Sequence, residues 1–421
     1  MRILLTGHTS FVLMKQFYPM LQAAMPEAKI ALYGLNKPGG ALTVEDRAHF
    51  GELIEQPLIK PAVIKKAVLS GRWLGYQDQP KPWKKMLGQL LTLQIRPAYE
   101  TLYEWTKQQL KEEALKEIFA PFDLINIHYC APGFLQQLNY VRPNQKAMLS
   151  FWGSDLFQET GIEAYSTQLQ ALEQADAITL HSPEMEQIFL SKFGRSFQSK
   201  VHQVLFGCHQ DRFDTIEALK QQPDKIQAFK NKHQIPNGKT IVQIGYSGGA
   251  GHQHLAVIEA LTQQVPHLKE ELFLMVPTTY NNQDSNYFEL LKTTLENSIF
   301  ASAHLTDYLT DEEVLLLPVI ADVHLNIRDA DALNNAMTEA LYTGCWVIVG
   351  AWLPYGVLRR AGLQYSEVAQ LSEIPNLLAN PSLAPSATDR AQNARVAVEK
   401  FAMHHRIAEW VAVYKHLYQT L

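Results

Sequence analysis

The chain of 421 residues holds only three cysteines, Cys130, Cys208 and Cys345. They are far apart and odd in number, which argues against a disulfide framework or a cysteine zinc site and for a reducing compartment. A basic surplus is also missing: 37 Lys and Arg stand against 42 Asp and Glu, a net charge of −5. General nucleic-acid binding is therefore not expected. No apolar run approaches the roughly 18 residues that a membrane span needs. The run VLLLPVIA at 314–321 is short and interrupted by Pro318. The opening MRILLTGHTS stops being apolar at Gly7, which reads as a first strand and not as a signal peptide, so a cytoplasmic protein is expected. No internal sequence repeat is present.

What is there fits a globular enzyme, with 47% apolar and 19% charged residues. The length suits two or three domains, each burying its own core. In the first half, apolar strands are expected at 2–6, 29–34, 122–128, 146–151, 177–180 and 201–206. A helix over 11–24 carries Phe11, Met14, Phe17 and Leu21 on one side, and Pro183 can open another at its first position. Small or polar residues follow the strands: Gly7-His8-Thr9, His128-Tyr129, Trp152-Gly153-Ser154-Asp155. His8 reads either as a cleft base or as an ordinary loop histidine. No GxGxxG follows the first strand.

Residues 206–213 read as a linker, and 214–233 as a polar helix. Strand and helix then begin again. The strand 240–244 runs into Gly245-Tyr246-Ser247-Gly248-Gly249-Ala250-Gly251-His252, and a helix is expected from about 253 to 264. Four glycines let a backbone approach a phosphate closely with N–H groups toward it; the other reading is a flexible turn. The Gly-Lys-Ser/Thr ending of a P-loop is absent. A strand at 271–276 ends in Pro277-Thr278-Thr279-Tyr280, and Thr310 with Glu313 forms a capping-box pattern. Alternating strands and helices at this spacing predict an α/β protein with two Rossmann-like domains facing across a cleft.

The stretch 328–344, RDADALNNAMTEALYTG, lies between apolar runs at 321–327 and 345–350 that read as buried parallel strands. Leu333, Met337, Ala340 and Leu341 share a helical face, with Asp331 as the expected N-cap and Gly344 as the stop. Glu339 follows Asp331 by eight positions, about two turns. Carboxylates at such a helix start accept hydrogen bonds from sugar hydroxyls while backbone N–H groups hold a phosphate; the plainer reading is a capped, half-buried helix. Between 58 and 95, Lys60, Lys65, Lys66, Arg72, Lys81, Lys84 and Lys85 interleave with Trp73, Tyr76, Trp83 and Leu90. This suits either an anionic membrane surface or an ordinary solvated helical excursion.

With these motifs the whole chain resembles the GT-B glycosyltransferases, most closely the retaining glycosyltransferase family 4 group. Asp331-x7-Glu339 resembles that group's Glu-x7-Glu signature with Asp in the first place. Trp152 to Asp155 and the 206–213 linker resemble its recurrent turns, and His128 matches a frequent strand-end histidine. The resemblance implies an acceptor-side domain over 1–206, a nucleotide-sugar-binding domain over 207–400, and a terminal helix over 401–421 packing back on the first. It implies a hexosyltransferase that moves a sugar from a nucleotide diphosphate sugar, with UDP expected, to a hydroxyl of a glycan or lipid-linked acceptor. Bacterial surface polysaccharide synthesis, at the inner face of the cell membrane, is the implied setting. Asp331, Arg328, His128 and Asp155 would act in catalysis. Glu339, Gly245, Tyr246, Ser247, Gly248, Gly249, His252, Leu333, Asn334, Thr279 and Tyr280 would bind the donor.

Two departures stand out. The Arg and Lys that usually follow the phosphate loop are missing; His252 and His254 stand nearby, and Arg328 is the candidate replacement because a guanidinium grips phosphate bidentately. Asp for Glu at 331 shortens the reach. No cofactor and no metal are expected, although Asp329-Ala330-Asp331 is a literal DxD. A retaining reaction needs no protein base, whereas an inverting one would need Asp155 or His8. A non-hydrolysing sugar-nucleotide epimerase and a two-lobed solute-binding protein share the same outline.

Overall fold

The structure is a computed structural model that describes residues 1–37, 41–76, 82–92, 94–281 and 284–421. The chain divides into two compact units. Unit 1 comprises Met1–Ser150, Thr167–Ala177 and Tyr414–Leu421; unit 2 comprises Phe151–Ser166 and Ile178–Val413.

Thirteen strands are formed among the described residues: β1 Arg2–Gly7, β2 Lys29–Tyr33, β3 Glu52–Ile54, β4 Leu124–His128, β5 Lys146–Ser150, β6 Ala177–Leu180, β7 Val201–Gln203, β8 Thr240–Ile244, β9 Leu272–Pro277, β10 Ser302–Leu305, β11 Val323–Asn326, β12 Trp346–Gly350 and β13 Ser366–Val368. They make two sheets, of order β3-β2-β1-β4-β5-β6-β7 and β10-β9-β8-β11-β12-β13. The strand pairings are parallel. Parallel sheets bury both faces, which explains the wholly apolar strands read from the sequence. In β12, Val347 and Val349 enter one core with Met337 and Leu341, while Trp346 and Ile348 enter the other with Val242 and Leu325. Alternate side chains of one strand thus serve two cores.

The second sheet reverses its strand order between β8 and β11. Chains leave the carboxyl ends there to opposite sides and open a crevice, the usual ligand position in such sheets. The glycine loop after β8 and the 328–334 stretch after β11 are neighbours at that point: Leu325 pairs with Ile244, and Gly245 N–H donates to Leu325 O at 3.0 Å.

Several expectations shift. The helix after β11 spans Asn335–Thr343, with Asn334 as its N-cap instead of Asp331. Asn334 Oδ1 accepts from Met337 N–H at 2.8 Å, while Asp331 accepts from Ala332 N–H at 3.0 Å and so closes a local turn before the helix. Gly344, at φ +89°, does stop that helix. The expected 214–233 helix is two, Gln210–Lys220 and Pro223–Lys232, because Pro223 can start a helix but not continue one. The helix after the glycine loop is His254–Gln264, preceded by a 3₁₀ turn at Ala250–His252. The last helix, Met403–Gln419, buries Trp410, Val413, Tyr414 and Leu417, while Tyr418 is 43% exposed. Thr310 and Glu313 form the capping box of Asp311–Ile320 as read.

Candidate functional site

The glycine loop owes its shape to Gly245. Its φ is +66°, and a Cβ there would lie 2.8 Å from the His252 ring. No other residue fits a left-handed position with that neighbour. The loop folds on itself: His252 Nε2 and Ser247 Oγ are 2.9 Å apart, and the Tyr246 and His252 rings meet edge to face at 4.4 Å. Gly248 N–H is already given to Tyr280 O at 2.9 Å, so it is not one of the groups a phosphate would take. Gly249 lies close to Asn281, where a Cβ would meet Nδ2 at 2.7 Å.

Neither nearby histidine supplies a positive charge. Burial, with Arg328 beside it, lowers the His252 pKa to about 2, and burial lowers that of His254 to about 4. Both rings are neutral at pH 7. The charge at this place is Arg328. Its Nη1 donates to Tyr246 Oη at 2.8 Å and stands 3.9 Å from Asp331 Oδ1, while its Nε is buried without a partner. Burial opposes the charge, but Tyr246 and Asp331 outweigh it and raise the guanidinium pKa.

Asp331 is the node of this loop. Its Oδ2 accepts from Asn334 Nδ2 at 2.5 Å, from Tyr355 Oη at 2.8 Å and from Tyr246 Oη at 3.4 Å. Burial and then the Asp331 charge push the Tyr246 and Tyr355 hydroxyls well above their ordinary range, so both stay protonated donors. Asn326 Nδ2 in turn donates to Tyr355 Oη at 2.8 Å. Asp329, the other half of the DxD, accepts from Ala330 N–H at 2.7 Å. Among the described residues, no three or more His, Cys, Asp or Glu side chains converge as a metal site would require.

Five of the candidate residues line one cavity of about 190 Å³: Tyr246, Thr279, Tyr280, Asn334 and Glu339. They come from the ends of β8 and β9 and from the helix after β11. Gln243, Arg212, Asn335, Ala336, Val314, Leu317 and Pro318 complete the wall. Its character is mixed: an apolar side from the helix Asp311–Ile320, and a charged floor. Glu339, 2% exposed, is ion-paired with Arg212 Nε, and the Cys208 thiol stands 3.9 Å from the same oxygen. Burial and that carboxylate raise the Cys208 pKa well above a normal thiol's, so it stays uncharged. Reading the sequence missed Arg212. It directly follows Asp211 in the 206–213 segment, whose sequence reads as a linker.

The remaining candidates lie elsewhere. Leu333 packs against the core of unit 2. His128 is fully buried at the end of β4, with Nε2 3.1 Å from Asn126 Nδ2 and its ring against Phe17. Asp155, also fully buried, accepts from Trp152 N–H and Gly153 N–H at 2.9 and 2.8 Å and so holds the turn in which Gly153 has φ +125°.

Unit 1 has its own cavity, of about 490 Å³, at the carboxyl ends of β1, β2 and β3. His8, Thr9, Asn36, Lys37, Arg47, Gln56 and Gln137 line it. Lys37 pairs with Asp46 at 2.5 Å and Arg47 with Glu55 at 2.7 Å. Burial lowers the His8 pKa, so the ring is neutral at pH 7 and can accept a proton. Of this wall only the Gly7-His8-Thr9 end was legible beforehand.

No family model and no curated protein matches the chain. Solved structures do. The N-terminal domain of Candida albicans trehalose-6-phosphate phosphatase is similar at TM-score 0.64 and 15% identity, covering 99% of this chain and 97% of that one. Sucrose-phosphate synthase from Thermosynechococcus elongatus is similar at TM-score 0.65 and 14% identity, over 100% and 99%. Anabaena HepE, solved with UDP and glucose, is similar at TM-score 0.64 and 12% identity, over 99% and 100%. Two parallel sheets in this order, matched along the full length of these chains, give the protein the fold of the GT-B glycosyltransferases.

Proposed function

We propose that the protein is a glycosyltransferase that takes a sugar from a nucleotide diphosphate sugar, UDP-linked by preference, and joins it to a hydroxyl of a glycan or lipid-linked acceptor. The observation that carries this reading is the convergence of Tyr246, Thr279, Tyr280, Asn334 and Glu339 on one cavity at the strand-order reversal. Anabaena HepE, of the same fold, was solved with UDP, with UDP and glucose, and with UDP-glucose. The setting we favour is bacterial surface polysaccharide synthesis on the inner side of the cell membrane.

In this reading the nucleoside occupies the mixed cavity. The Val314–Leu317–Pro318 wall suits a base, and Glu339, oriented by Arg212, suits ribose hydroxyls. The diphosphate lies toward the glycine loop and the start of the helix Asn335–Thr343, whose N-terminal N–H groups favour an anion. The bond between the anomeric carbon and the phosphate oxygen breaks, and negative charge grows on the leaving diphosphate. Arg328 stabilises that charge and Asp331 meets sugar hydroxyls. The acceptor proton passes to the leaving phosphate if configuration is retained; for an inverting transfer the buried Asp155 is taken up by its turn, which leaves His8 as the candidate base. No metal takes part, because Arg328 supplies the positive charge.

Thermal unfolding with UDP, GDP and their sugars tests this. A ligand at a hundred times its Kd stabilises by about 2.7 kcal/mol, and the matching diphosphate is expected to raise Tm clearly. Glu339→Ala should weaken that ligand roughly ten- to a hundredfold, the cost of about 1–3 kcal/mol for a lost buried polar contact. If no nucleoside diphosphate shifts Tm, the reading is wrong.

A further inference from the structure

The helix Trp83–Leu91 turns its apolar side outward. Met86 is its one buried residue, whereas Trp83, Leu87, Leu90 and Leu91 are 42, 54, 44 and 85% exposed. Their spacing, i, i+4, i+7 and i+8, puts all four on one face. A helix that served only its own fold would bury that stripe. The next helix, Ile95–Phe119, continues the pattern with Ile95 at 70% and Tyr99 at 40%, one turn apart. The helix Pro61–Leu69 buries Ile64, Ala67 and Val68 but leaves Leu69 82% exposed. Trp73 and Trp83, with ring centroids 5.2 Å apart, tie the segment after that helix to the start of the outward stripe.

The segment that carries this face is rich in cations. Lys60, Lys65, Lys66, Lys84 and Lys85 are exposed. Between Glu55 and Glu100 the sequence has one acidic residue, Asp78, which with Lys81 lies outside the described residues. Apolar side chains flanked by lysines, with almost no carboxylate, complement an anionic bilayer: apolar groups enter the acyl boundary while ammonium groups meet headgroup phosphates. A second copy fits poorly, since a two-fold contact across the stripe would bring together Lys84 of both copies, which borders Leu91 around the helix.

We propose that unit 1 docks on an anionic lipid bilayer through the helix Trp83–Leu91, lying in the interface plane with Trp83, Leu87, Leu90 and Leu91 inserted. The charge of the 60–85 segment pointed to an anionic surface; the fold moves the contact to 83–99 and adds an inserting element. That the acceptor is therefore lipid-linked rests on the glycosyl-transfer reading, while the docking itself does not.

Flotation of the full chain with vesicles of phosphatidylcholine alone, or with about one-third phosphatidylglycerol, tests the proposal. The wild type should float with the anionic vesicles and lose that binding at high salt. Leu87→Glu with Leu91→Glu should lower the bound fraction about tenfold or more, and Lys84→Gln with Lys85→Gln should lower it less and flatten its salt dependence. Quenching by brominated lipid should reach a tryptophan of the wild type and disappear in Trp83→Phe. Unchanged unfolding curves and unchanged nucleotide-induced Tm shifts in the variants establish that fold and donor site are intact. Negligible binding to both vesicles, equal binding to both, or a dimer that the Leu87→Glu, Leu91→Glu pair dissociates overturns the proposal. A chain that binds vesicles but no nucleoside diphosphate would instead sink the transferase reading and leave the docking face standing.

Discussion

Arg328 is gripped on one side only. Tyr246 takes Nη1, Asp331 stands at 3.9 Å, and Nε is left over. A guanidinium held by a tyrosine and a nearby carboxylate is oriented without being fully neutralised, so it can answer charge that grows during a reaction. Arg328→Ala should lower kcat strongly with a smaller effect on KM, and Arg328→Lys should recover only part, because an ammonium lacks the planar fork. An Ala variant within about twofold of the wild-type kcat, a barrier difference of about 0.4 kcal/mol, would remove Arg328 from the chemistry. The residue types around it were readable in advance, since strand, polar loop and helix follow one another within twenty residues. Their connections were not. Tyr355 reaches Asp331 from the next loop, and Arg212 reaches Glu339 from 127 positions away. Pairings at that separation leave no periodic trace in a sequence.

At the scale of elements, the strands were the most legible, because a parallel strand buried on both faces is a bare apolar run between small residues. The three-residue strands Glu52–Ile54 and Ser366–Val368 went unread, being too short to show alternation. The start of the helix Asn335–Thr343 was misplaced by three residues because Asp331 and Asn334 are equally good caps by type; the Asp331 carboxylate is taken up by Asn334, Tyr355 and Tyr246, and Asn334 caps the helix. The glycine loop and its sheet also store a pH dependence. His252, His254 and His324 are buried, and burial first of all lowers their pKa values to about 2, 4 and 4. The unfolded chain protonates them near pH 6.5 and the folded one does not, so stability is full above that pH and falls below it. Each group contributes a slope of about 1.4 kcal/mol per pH unit, and the three together approach about 4 kcal/mol per unit between about pH 6 and pH 4. Tm should therefore drop steeply from about pH 7 to pH 5, less so in His324→Gln; a flat Tm over that range would mean the rings are charged or solvated when folded.

Across the whole molecule, the sheet reversal puts the glycine loop, Arg328 and Asp331 in one place, and the transfer proposed above gives Arg328 the part that a metal would otherwise play. Donor turnover should persist in EDTA. Loss on chelation, restored by magnesium or manganese, would make Asp329 and Asp331 ligands and displace Arg328 from its role. The overall α/β plan was legible because alternation of period and turn residues survives along the chain. The cavity of unit 1 was not, because its wall is drawn from β1, β2, β3 and from Phe134 and Gln137, segments with no shared motif.

Tyr414 is fully buried and takes a hydrogen bond from Asn126 in β4 at 2.7 Å, although 288 positions separate the two. Both belong to unit 1. On the ribosome the amide of Asn126 therefore emerges long before its partner: at about 5–20 residues per second, the wait is about a quarter of a minute to a minute. During that interval the whole of β8 to β13 is made and can fold, while the older unit still has an open seam at its central strand. The first unit to be translated is in this sense the last to be finished.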